Sequence, residues 1–293
     1  MKKTPKPRDT ARRLKETIHK QPTVFAVYVA LRLIVLAELV MSIIRGEYES
    51  AFICLLVLAL FILPFFIQQN FGIQLPSVLE IIILLFIFAA EILGELECYF
   101  ITYPNWDSML HTTTGFLCAA TGFALIDILN RNSRIKFQLS PVYVALAAFC
   151  FSMTIGVLWE FFEFGMDFFL GTDMQKDTVV HSIGSVMLDP SGGNTPTAIQ
   201  NITDVIVVTA DGTQHSLGLG GYLDIGLLDT MKDLFVNFIG ALTFSIIGYF
   251  YVRSRGKGKF AKRFIPVAKN SAMPDVSEMA ETKIPAKKED TTE

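Results

Sequence analysis

The segment WEFFEFGMDFF, Trp159–Phe169, sets Glu160, Glu163 and Asp167 at i, i+3 and i+7. On a helix, at ~100° per residue, three such carboxylates fall within ~60° of one another and form one stripe. DTMKDLFVNFIGA places Asp229, Asp233 and Asn237 at i, i+4 and i+8, WDSMLHTTTG places Asp107 and His111 at i, i+4, and Glu91 and Glu95 repeat that spacing. Carboxylate and amide oxygens are hard ligands for Ca²⁺, Mg²⁺ or Mn²⁺, and one imidazole leaves room for a transition metal. These residues therefore read as a divalent-cation pocket. Asp107, His111, Glu160 and Asp233 are its metal ligands, Glu91, Asp167, Asp229 and Asn237 line it, and Glu163 is the candidate general base.

The elements carrying these stripes are strongly apolar. The chain has 293 residues, 52% of them hydrophobic, including 25 phenylalanines. Six stretches approach the roughly 20 residues needed to span a bilayer core: 22–44, 51–68, 76–95, 106–129, 141–170 and 229–252. The fold class expected is an all-α polytopic membrane protein of about six transmembrane helices. Pro64 inside the second is tolerable where neighbouring helices satisfy the backbone groups it frees.

Basic residues orient the spans. Residues 1–21 hold eight Lys/Arg against two acids, residues 253–263 hold six and no acid, and the 130–140 connection carries Arg131, Arg134 and Lys136. The connection 96–105 has neither Lys nor Arg, and 171–228 has Lys176 alone against six Asp. Both termini are thus expected in the cytoplasm, which brings all four polar stripes to the outer third of the bilayer. Ionisable residues in spans usually face the bundle interior and mark a functional site.

The expected organisation is a basic N-terminal tail (1–21), five helices (22–170), an outward β-rich insert (171–228), a sixth helix (229–252) and a basic, then disordered, tail (253–293). VIVVTADGTQHSL is two strand-prone runs around Asp211-Gly212, a favoured hairpin turn. An insert this small needs the bundle for support. The four cysteines are isolated and indicate neither zinc nor a disulfide framework. The apolar run after the N-terminal tail is too long for a signal-peptide core and reads as a retained first helix. Asp107 and Asp229 have an alternative reading as helix N-caps. Arg32 invites pairing with Glu38 or an acid on another helix. Gly115, Gly122 and Gly240 read as close-packing positions. The basic clusters flank spans, where they meet lipid headgroups, so a nucleic-acid partner is excluded.

WDSMLH opening one helix, LWEFFEFGMD closing the next and DTMKDLFVNFIGA opening the last resemble the YjdF-like bacterial inner-membrane proteins. Their order is also similar, more distantly, to that of the VanZ-like proteins. The resemblance covers roughly residues 22–252. It implies a multi-pass protein of the bacterial plasma membrane with no established activity, and the VanZ-like proteins are associated with glycopeptide resistance at the cell envelope. It points to Asp107, His111, Glu160, Glu163, Asp167, Asp229, Asp233 and Asn237. In the family pattern the acidic helix end and the last helix lie closer together. Here the insert parts MQKDT from LDTMKD, leaving Gln175 and Asp177 unassigned and implying a lid or partner surface.

Three functions stand open: an envelope protein binding a cation or cationic ligand, a metal-dependent enzyme on an envelope lipid or peptidoglycan precursor, and a structural or regulatory membrane protein. The orientation is directly testable. Alkaline phosphatase fused after Gly192 should be active, and a fluorescent protein fused after Glu293 should fold and fluoresce. The reverse pattern would place the acidic stripes at the cytoplasmic face.

Overall fold

The computed structural model describes residues 21–70, 73–130 (without side chains for 127–130), 139–255 and 259–268. The expected N-terminal tail, Arg131, Arg134, Lys136 and residues 269–293 lie outside the described residues. Among the described residues, six helices are long and apolar enough to cross a membrane: α1 (Pro22–Arg45), α2 (Tyr48–Asn70), α3 (Ser77–Leu96), α4 (Trp106–Asn130), α5 (Pro141–Leu170) and α6 (Leu227–Arg253). Their limits follow local chemistry. Pro22 and Pro141 open helices, where a missing N–H costs nothing. The Ser140 hydroxyl accepts from the Tyr143 amide, and Gly46 and Gly171 end helices at φ of 78° and 66°.

Two departures from regular helix stand out. α2 breaks at Phe61-Ile62, just before Pro64, and there the Phe61 carbonyl accepts a hydrogen bond from the Tyr28 hydroxyl of α1. The bond satisfies a backbone carbonyl at the break that the proline produces. Arg32 donates to Tyr28 at 2.7 Å and lies over its ring, so among the described residues its partner is a phenol rather than Glu38 or another acid. α3 changes from α- to π-helix over Ala89–Leu96, the turns that carry Glu91 and Glu95.

The bundle has two apolar centres. One joins α1, α2 and α3 through Leu31, Val35, Cys54, Val57, Phe61 and Leu84. The other joins α4, α5 and α6 through Ala119, Phe123, Val144, Ala148, Ala241 and Phe244. The second triple packs tightly because glycines stand where the helices cross. A Cβ on Gly240 would run into the Thr112 carbonyl, one on Gly115 into the Asn237 carbonyl, and one on Gly156 would stand 2.5 Å from Asn237 Nδ2. Gly122 meets the Phe151 ring in the same way. The close-packing reading of Gly115, Gly122 and Gly240 is therefore the observed one.

Within the stretch read as tail, residues 259–268 fold back. Ala261 and Ile265 are buried in the second core, and β8 (Val267–Ala268) pairs antiparallel with β1 (Ile73–Gln74) between α2 and α3. The basic residues there are interspersed with Ala261, Phe264 and Ile265, which supply apolar surface to bury, while Phe260 stays exposed.

Between α5 and α6 lie three antiparallel ribbons. β2 (Thr178–Val180) pairs with β7 (Tyr222–Asp224), enclosing β3 (Ser182–Ser185) with β4 (Thr197–Gln200) and β5 (Ile206–Val208) with β6 (Gln214–Ser216). The β5–β6 turn is the expected Asp211-Gly212 hairpin, with Gly212 at φ 85°. The Asp211 carboxylate accepts from the Thr213 amide and from the hydroxyls of Thr209 and Thr213.

Gly240→Val should lower the detergent-solubilised melting point through overpacking of about 1–3 kcal/mol. Gly165→Ala, whose Cβ meets nothing within 4 Å, should leave it nearly unchanged. The hydrogen bonds to Asp211 pull its carboxyl from 3.8 down to about 2. A depressed folded-state value means that the ionised turn is favoured above the ordinary carboxylate range. That contribution is lost as pH falls through about 2. Hydrogen exchange at the Thr213 amide should accelerate across that window in the wild type and be fast at every pH in Asp211→Ala.

Candidate functional site

The α4–α6 crossing collects the polar stripes at one end of the triple. Neither Asp107 nor Asp229 is an N-cap, because α4 and α6 begin before them, at Trp106 and Leu227. Asp107 Oδ1 lies 3.4 Å from His111 Nε2, one turn along α4. The other ring nitrogen, Nδ1, lies 3.8 Å from Glu160 Oε1 of α5. Asp233 of α6 completes a group with Asp107 and His111, and Glu163 completes a second with His111 and Glu160. Within each group one ligand atom per residue lies within 4.8 Å of the others. His111 thus stands between two acid groups and offers one nitrogen to each.

The setting is nearly dry. Asp233 is 1% exposed, Glu160 4% and Glu163 7%, while His111 and Asp229 are also buried. Glu163 accepts the Trp159 indole N–H at 2.7 Å. By contrast, Glu160 Oε2 and Asp233 Oδ1 are sealed from solvent with no hydrogen-bond partner. Unsatisfied carboxylate oxygens in such surroundings are expensive, and each calls for a cation or a proton. Asn237 lies one turn beyond Asp233, wedged against Gly115 and Gly156, with its amide toward Met153 Sδ at 3.6 Å. Ser152 donates to the Gly115 carbonyl at 2.7 Å beside it. Beyond this floor the three helices meet through alanine and phenylalanine.

The remaining expected residues fall at the rim or apart. Asp229 accepts the Lys176 amide at 2.8 Å and lies 3.7 Å from Lys232 Nζ. Asp167 is occupied by the loop that follows it, accepting from Thr172, Met174 and Gln175. Glu91 sits on the π-helical turns of α3 with Glu95 as its charged neighbour and is in neither acid group.

Two participants, Trp159 and Thr230, were not singled out from sequence, and a third, Gln175, was named there but left unassigned. Trp159 steadies Glu163 from i−4, a spacing visible in the sequence. Thr230 is directed at Glu160, and Gln175 bonds Thr230 at 2.5 Å. Gln175 carries no sequence signal, because its place depends on the loop's path.

Among known families, the one described as "Predicted membrane protein (DUF2238)" matches residues 27–254, and it is the YjdF-like family whose motifs the chain carries. No curated protein and no solved structure matches.

Proposed function

This chain belongs to the DUF2238 family of membrane proteins, and from that premise we propose that it binds one divalent cation between α4, α5 and α6. The site lies at the outer leaflet of the bacterial plasma membrane and serves the cell envelope. The observation that carries this reading is the pair of sealed, unpartnered oxygens, Glu160 Oε2 and Asp233 Oδ1, on either side of His111. Asp107, His111 and Asp233 hold the ion through Nε2, and the Nδ1 side of the ring faces Glu160, which orients the imidazole. A ligand set of carboxylates with one imidazole suits Mn²⁺ best, since it accepts oxygen donors and gains from the nitrogen. The apolar floor beyond Asn237 favours binding over passage through the membrane.

A second reading is enzymatic, and it rests on Glu163. A cation in this site would supply Lewis acidity toward a bound water or a phosphate oxygen. Glu163 lies outside the group formed by Asp107, His111 and Asp233, and the Trp159 indole holds its carboxylate in place. That position suits a general base acting on an envelope lipid or peptidoglycan precursor.

Purified protein should melt higher with Mn²⁺, by the equivalent of about 2.7 kcal/mol at a hundredfold excess over Kd. Glu160→Gln with Asp233→Asn should abolish the gain while the protein stays folded. If no divalent cation stabilises the wild type and the double variant unfolds, the acids are an interhelical structural network. Turnover of labelled envelope lipids, lost in Glu163→Gln with Mn²⁺ binding retained, would establish the enzymatic reading, and an unchanged lipid profile would remove it.

A further inference from the structure

The segment leaving α5 is bonded back onto the pocket at three places. The Thr172 hydroxyl and the amides of Met174 and Gln175 donate to the Asp167 carboxylate at 2.6–2.7 Å. The Gln175 side chain donates to Thr230 Oγ1 at 2.5 Å, and Thr230 is directed at Glu160. The Lys176 amide donates to Asp229 Oδ2 at 2.8 Å. Opposite this segment, Gly226 enters α6 at φ 92°, and a Cβ there would collide with the Gln175 side chain. Immediately afterwards, Thr178 of β2 pairs with Asp224 of β7.

Residues 172–177 therefore form a strap between the ends of α5 and α6, two of the three helices that supply the acids. One strap side chain reaches a pocket carboxylate through a single hydroxyl. The bonds to Asp167 fix the strap to α5, and the bonds to Thr230 and Asp229 need α6 at its present separation from it. A cation that draws Asp233 of α6 to one side of the His111 ring, whose other nitrogen faces Glu160 of α5, favours that same separation. If the strap lets go, the two helix ends can part and water reaches the acids.

We propose that this strap is the retaining gate of the cation site, closing as the ion binds and slowing its release, with Gln175 as the positioning residue. The inference rests on the cation-binding reading above. Because the coupling is an equilibrium property, it is reciprocal: the ion stabilises the closed strap as much as the strap stabilises the bound ion. β2 continues directly from the strap, so the β ribbons move with it, and a contact made on them is felt at Glu160.

The test uses the full chain in detergent with Mn²⁺ as the probe. Hydrogen exchange at the Met174, Gln175 and Lys176 amides should slow when Mn²⁺ is added. Release of Mn²⁺ into excess chelator should be about tenfold faster in Gln175→Ala, the loss expected for one hydrogen bond. The Mn²⁺-induced rise in melting point should shrink in that variant beyond any loss seen without Mn²⁺, whereas a merely structural role for Gln175 would lower both melting points equally. Mn²⁺ binding with unchanged strap exchange and unchanged release overturns the gate and leaves the cation site standing. No stabilisation of the wild type by Mn²⁺, Mg²⁺ or Ca²⁺ overturns both.

Discussion

The α4–α6 end of this protein is governed by the cost of holding carboxylates next to one another away from water. Two unit charges 4 Å apart interact by about 4 kcal/mol even at an effective dielectric of 20. A few such repulsions match the whole net stability of a folded domain, about 5–15 kcal/mol. Glu160, Glu163 and Asp233 are nonetheless buried around His111, with the buried Asp229 at their rim. Carboxylates held this way are costly unless a cation or protons neutralise them, and Glu160 Oε2 and Asp233 Oδ1 have no hydrogen-bond partner within the protein to offset that cost.

The helix packing enforces the problem. Gly115, Gly156 and Gly240 let the backbones approach until Asn237 fills the space between α4 and α5. Larger residues at those crossings would hold the helices apart and admit water to the acids, relaxing the repulsion and dissolving the site. Close packing also forms the apolar floor beneath Asn237, so the polar cluster ends where the phenylalanine core begins. The α1–α3 unit has a core of its own, joined to the α4–α6 core through Leu79 and Ile83 of α3, and handles its polar burden locally, with Arg32 on Tyr28 and Tyr28 on the carbonyl at the α2 break. The β1–β8 pair and the buried Ile265 tie the far ends of the two units together.

The insert acquires its meaning from this arrangement. Its strands are short and largely exposed, and on their own would make a poor domain. Its first residues, however, spend their amides on Asp167 and Asp229 at the mouth of the pocket. Asp167 belongs to the acidic stripe by helical angle. Yet three donors hold it, and it fixes the loop that follows α5.

The spans, the β hairpin and the membership of each polar stripe were legible in the sequence because they depend on local properties. Apolar length sets a span, 3.6-residue periodicity sets a stripe, and Asp-Gly sets a turn. Asp107, His111, Glu160, Glu163 and Asp233 could be selected on that basis, since a charge in an apolar helix is its own signal. The tertiary structure alone decided which stripes meet. It left Glu91 with Glu95 on α3, turned Asp167 outward to the strap, brought Gln175 and Thr230 to Glu160, and returned Ala261 and Ile265 to the core. Those outcomes depend on how closely the helices cross and on the path a loop takes back to the bundle. Both are set by contacts between residues far apart in the chain, which no local spacing encodes.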